Sequence, residues 1–192
     1  MRARCPLSLF EFIVGMISVI FALSIAQLFS GVADLLQQRV RVRYFLPHSI
    51  WAVNLFLLTF LHWWSLWTFR DLSWNFGMFF YSLIGPSLMF FACTMISPRK
   101  TTSTDVDLSD HFLSIRKWFL TVVAVLMVFF SFDGPLFGTE PLLNELRAIQ
   151  SLIVAMAIGG VFAANRRFHT AASASVLFIL CIGVFIRFLP GQ

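Results

Sequence analysis

The chain has 192 residues, of which 59% are hydrophobic and 12% charged; 24 are phenylalanine, and the mean hydropathy is +0.85. A water-soluble domain of this length has too much surface for its volume to hide so many apolar side chains, so the composition excludes an ordinary soluble fold and points to lipid as the solvent. The formal charge is +5, but the Lys and Arg residues fall in short segments between apolar runs instead of on a basic face with interleaved aromatics, which argues against nucleic acid as a partner. Cys5, Cys93 and Cys181 are scattered and odd in number, so no disulfide framework follows.

Six apolar runs predict an all-α, polytopic integral membrane protein forming a single transmembrane domain over residues 1–192, with spans at about 9–36, 45–70, 72–97, 111–132, 146–164 and 168–189. Runs of these lengths match a hydrocarbon thickness of about 30 Å. The first follows Arg2 and Arg4 but exceeds a signal-peptide core in length and is expected to be a retained span. Gly15, Ser18, Ala22, Ala26 and Ser30 lie on one face of it, a stripe that lets another helix approach closely in lipid. Glu11 lies on that stripe near one membrane surface, and the run ends in a short basic loop at Arg39, Arg41 and Arg43.

The second run opens on Pro47, which suits a first helical turn, and closes on Trp63, Trp64 and Trp67, an arrangement expected of an interfacial aromatic belt. In the third, Gly85-Pro86 predicts a kink. The polar segment 97–110 offers Ser109 or Asp110 as the cap of the fourth helix, whose bulky stretch 118–130 is expected to face lipid. Asp133-Gly134-Pro135 reads as the start of a loop. The fifth run repeats the small-residue pattern at Ser151, Ala155, Gly159 and Ala163, and spans one, two and five are expected at the packed centre.

Loop charge sets the orientation. Arg39, Arg41, Arg43, Arg99, Lys100, Arg116, Lys117, Arg166 and Arg167 collect on one side; Arg2, Arg4, Arg70, Arg147 and Arg187 collect on the other. The positive-inside rule places the first group in the cytoplasm and both termini outside, in the cell membrane, or the bacterial inner membrane if the source is prokaryotic.

Chemistry-bearing residues are few. Fourteen residues separate His48 from His62 on one span, which places them about 40° apart in direction and about 21 Å apart along the axis. That spacing resembles the helix of di-haem cytochrome b proteins, where each histidine needs an axial partner on a second helix. Only His111 and His169 remain, and with His48 they fall at the cytoplasmic ends of even-numbered spans, where a pair could hold haem b or all three a divalent metal. His62 falls inside the membrane. With Asn54, Thr59 and Glu11 it forms either interhelical hydrogen bonds or a polar pathway, and a Glu11–His62 hydrogen bond is expected. No enzyme signature of the GxSxG, HExxH or glycine-loop kind occurs. Asp105, Asp107 and Asp110, spaced DxDxxD, read as a solvated loop with a helix cap.

Three functions follow, in order. The first is a non-enzymatic membrane component that self-assembles or joins a partner membrane protein, without a cofactor. The second is a passive channel or small-solute transporter lined by span two around His62. The third is a haem- or metal-binding membrane subunit.

Overall fold

The structure, a computed structural model, describes residues 8–37, 41–98, 105–141 and 143–188. Arg2, Arg4, Cys5, Arg39, Arg99 and Lys100 lie outside them, as does the side chain of Arg187. The fold is all-α, with six helices long and apolar enough to cross a membrane. They are α1 (Leu9–Gln37), α2 (Leu46–Ser65, extended by a 3-10 turn, Leu66–Phe69), α3 (Phe76–Ile96), α4 (Leu108–Leu136), α5 (Glu145–Phe162) and α6 (Arg166–Phe188).

Polar side chains just ahead of the helices set several of the boundaries. Ser8 and Glu11 form a reciprocal capping box: the Glu11 carboxylate accepts from the Ser8 N–H at 2.7 Å, and the Ser8 hydroxyl accepts from the Glu11 N–H at 3.2 Å. Asn75 and Asn144 accept from Met78 N–H (3.0 Å) and Arg147 N–H (2.9 Å), which starts α3 and α5. The cap of α4 is Asp107, not Ser109 or Asp110, and it accepts from the N–H groups of both. Replacing Asp107 with Ala is expected to lower stability by about 1 kcal/mol, read as a drop in melting temperature.

Asp107 also belongs to a two-stranded parallel ladder, β1 (Arg41–Arg43) with β2 (Asp105–Asp107), and its carboxylate lies 3.8 Å from the Arg43 guanidinium. The loop at 105–107, expected to be solvated, is therefore tied to the basic loop after α1 over the same end of the bundle.

The centre differs from the sequence expectation. In α4, 44% of the best apolar window is buried, against 33% in α2 and α3 and 22% in α1, α5 and α6. The stretch 118–130, expected to face lipid, buries Phe119, Leu120, Val123, Leu126, Met127 and Phe130. Bulk on all faces of α4 is what a central helix needs, since α3 and α5 cover it from different sides.

The small-residue stripes do not turn inward. Gly15 has nothing within 4 Å of where a Cβ would stand, and Ala22, Ala26 and Ser30 are exposed; of the α1 stripe only Ser18 meets another helix, accepting from Trp63 Nε1 at 2.9 Å. On α5, Ser151 and Ala155 are exposed, Ala163 is half-buried at the helix end, and Gly159 alone makes a close approach, to Phe168. The inward face of α1 is instead Ile13, Ile17, Phe21 and Leu28, and that of α5 is Ile153, Ala157 and Gly160. The α1 set puts more apolar contact into the core than alanine and serine would, whereas Ala157 and Gly160 on α5 are small residues on a different face from the expected stripe.

Helix α3 runs unbroken through Pro86. Its Gly85 has a packing role: a Cβ there would stand 2.6 Å from the Phe130 ring.

Candidate functional site

Two groups of polar side chains lie at opposite ends of the bundle. At the end that carries the β-ladder are three of the histidines. His48 lies 2.7 Å from the Ile96 carbonyl through Nε2, and His169 lies 3.0 Å from the Ala163 carbonyl through its own Nε2. A carbonyl only accepts, so both nitrogens carry the proton. The rings of His48 and His111 meet edge-on at 5.8 Å, while His169 packs on Phe112 at 5.3 Å. No three His, Cys, Asp or Glu side chains converge as a metal would require, among the described residues. The three expected candidates therefore do not form one ligand set. They join helices: His48 ties α2 to the end of α3, and His169 holds the α5–α6 turn.

At the other end is His62, and its surroundings correct the expected pathway. Glu11 spends its carboxylate on the α1 capping box. Asn54 donates to the Ser173 carbonyl at 3.0 Å, joining α2 to α6, and Thr59 donates to Leu55 within α2 at 2.8 Å. The ionisable neighbour of His62 is Asp133: Nδ1 stands 4.0 Å from a carboxylate oxygen, with both side chains largely buried. That separation is too long for a hydrogen bond. The imidazole is fixed by packing, stacked on Phe130 with centroids 3.8 Å apart and planes 11° from parallel, and edged by Phe21 at 5.6 Å.

Asp133 is on this site because α4 does not stop at 132. It continues to Leu136, with Gly134-Pro135 in its last turn. Gly134 opens the approach for Arg147, since a Cβ there would stand 2.7 Å from the guanidinium. Arg147 is buried. It donates to the Phe130 carbonyl (3.1 Å), to Gln150 (2.8 Å) and to Glu140 (3.2 Å), while its Nε has no partner among the described residues. Gln150 accepts also from Ser131 at 3.0 Å, and Glu140 accepts from Asn144 at 3.2 Å. This network clamps the start of α5 to the end of α4.

These groups line a cavity of about 380 Å³, within the range of small-molecule sites. Its walls are the C-terminal ends of α2 and α4, the N-terminal half of α5 and the C-terminal half of α6. The geometry of the last two helices explains it. They meet at their shared turn, where Phe168 packs on Gly159 and His169 on Gly160, and α5 leans mainly on α4 while α6 leans on α2. The pair opens as a V away from the turn. The mouth of that V is the cavity.

Sequence reasoning found His62 but missed Asp133, Glu140, Arg147 and Gln150. Asp133 was hidden by the Gly-Pro that follows it. The i, i+3 pair Arg147 and Gln150 at the start of an apolar run was the signal for a polar face there. Comparison with known protein families, with curated proteins and with solved structures returns no match.

Proposed function

We propose that this chain is a six-span membrane protein that takes a small ligand into the cavity beside His62, as a passive channel or small-solute transporter does. The observation that carries this reading is the convergence on one cavity of His62, Asp133 and Arg147, from helices of membrane-spanning length, with Glu140 from the segment between α4 and α5. Ionisable groups are costly in such helices and mark ligand and ion routes. In this reading the β-ladder end, with Arg43, Arg116, Arg166 and Arg167, faces the cytoplasm, both termini face outward, and the cavity opens toward the outer side of the cell membrane.

A second reading has its own observation. The small-residue face of α1 at Gly15, Ala22 and Ala26 is uncovered, which suits close packing by a helix of a second copy or of a partner membrane protein. This reading is compatible with the first.

Native mass measurement of the gently extracted protein tests both. The ligand reading predicts a chain of 21.9 kDa carrying a co-purified small molecule that is lost when Ile153→Trp fills the cavity. Retention of that molecule by Ile153→Trp would place it elsewhere and contradict the reading. Assembly predicts multiples of the chain mass, reduced to one when Ala22→Phe roughens the α1 face.

A further inference from the structure

We infer that the cavity beside His62 is built for an organic ammonium ion with an apolar body. This rests on the reading of the cavity as a ligand site and adds the chemistry of the ligand. Three carboxylates, Asp133, Glu140 and Glu145, line it against one guanidinium, Arg147, among the described residues. Arg147 is already engaged by Glu140. Asp133 keeps acceptor capacity, because His62 stands too far away to donate to it. The Tyr81 hydroxyl, which lies within hydrogen-bonding reach of the carboxylate and also 3.2 Å from the Phe129 carbonyl, can fill one of its lone-pair sites and leaves the others open. A buried carboxylate in this position is best satisfied by a donor that brings its own positive charge.

The lining also has a direction. Among the lining residues, Asp133, Glu140 and Glu145 lie at or beyond the helix ends where α4 passes into α5, whereas Leu58, Met127 and Ile153 lie further along their helices, toward the middle of the bundle. On α4, Met127 lies six residues before Asp133, about 9 Å along the axis. Phe69 also lines the cavity, and an aromatic ring attracts cations. A charged head at the mouth and about 9 Å of apolar body pointing inward match these walls. A free anion meets an excess of negative charge, and a purely apolar molecule brings no counter-charge to the three carboxylates.

The test uses the full chain in lipid nanodiscs, with binding to protein-free nanodiscs subtracted, and three probes that carry their polar head on the same phenylbutyl chain: 4-phenylbutylammonium, 4-phenylbutanol and 5-phenylpentanoate. Calorimetric titration is expected to show saturable binding of the ammonium at least about tenfold tighter than either analogue, the scale of one charge-assisted hydrogen bond. Asp133→Asn is expected to remove that preference and Asp133→Glu to keep it. The comparison among the three probes on the unaltered chain stands even where a variant fails to fold. Equal or tighter binding of the alcohol or the carboxylate, abolished by Ile153→Trp, would overturn the cationic class while leaving the ligand site intact. Saturable binding of none of the three would overturn the inference, and a co-purified molecule lost from Ile153→Trp would then show separately that the site itself survives.

Discussion

Replacing Arg147 with Met is expected to be the most damaging single change outside the apolar core, at a cost of about 3–5 kcal/mol. The guanidinium is buried and holds three acceptors, the Phe130 carbonyl on α4, Gln150 on α5 and Glu140 in the segment that joins them. Truncation leaves Glu140 with Asn144 as its side-chain donor among the described residues and the Phe130 carbonyl without its bond from Arg147. Met keeps the length and apolar stem of the side chain, so the loss reports the network and not a cavity. Arg147→Lys is expected to recover only part of it, because an ammonium cannot present the planar fork that reaches the three acceptors together. Thermal melting in mild detergent checks both variants. A melting temperature for Arg147→Met within a degree or two of the parent would show that α5 is held to α4 by apolar contact alone.

The second large effect is a contrast between two glycines. At Gly85 an added Cβ would stand 2.6 Å from Phe130 Cε1, and at Gly160 it would stand 2.6 Å from Leu120 Cδ1. The distances are equal but the obstacles differ. Phe130 is stacked flat on His62, so its ring can yield only by giving up that contact. Leu120 presents the end of a flexible side chain. Gly85→Ala is expected to cost about 1–3 kcal/mol through overpacking. Gly160→Ala is expected to be near neutral, since the gain in helix propensity of about 1 kcal/mol offsets a rotamer adjustment. Pairing Gly85→Ala with Phe130→Leu is expected to restore part of the loss, a non-additivity that melting of the single and double variants measures.

The elements of this fold were legible because each rests on a local signal. Six apolar runs and Pro47 in the first turn of α2 place the helices within a few residues of where they lie; the caps were less legible, since Ser109 or Asp110 was expected where Asp107 caps α4. Which faces turn inward was not legible. The stripe from Gly15 to Ser30 and the bulky stretch from Trp118 to Phe130 each have two readings: small residues suit either a partner of the same chain or one outside it, and bulky apolar residues suit either lipid or a core. In lipid the two environments are alike in polarity, so the usual inside–outside contrast is lost. The site was half legible for a related reason. His62 stood out as an ionisable group in an apolar run, but its neighbour was sought on α1, at Glu11, because that residue shared an apparent depth. The actual neighbour, Asp133, is on α4, and bringing it there required the helix to run through Gly134-Pro135, against the local turn signal.

The cavity on the outer side of a six-span bundle is tested most directly by sided cysteine labelling. Cys5, Cys93 and Cys181 are first replaced with alanine, and Ser65→Cys and Ser151→Cys are made singly in that background. Both substitutions are close in size. Ser65 lines the cavity, whereas Ser151 is exposed on the α5 surface away from it, where bilayer lipid would cover it. A charged, membrane-impermeant thiol reagent applied to the outer face is predicted to modify residue 65 and to leave residue 151 unmodified. Labelling at 151 but not at 65, or at 65 only from the cytoplasmic face, would contradict the placement of the cavity and of the six helices around it.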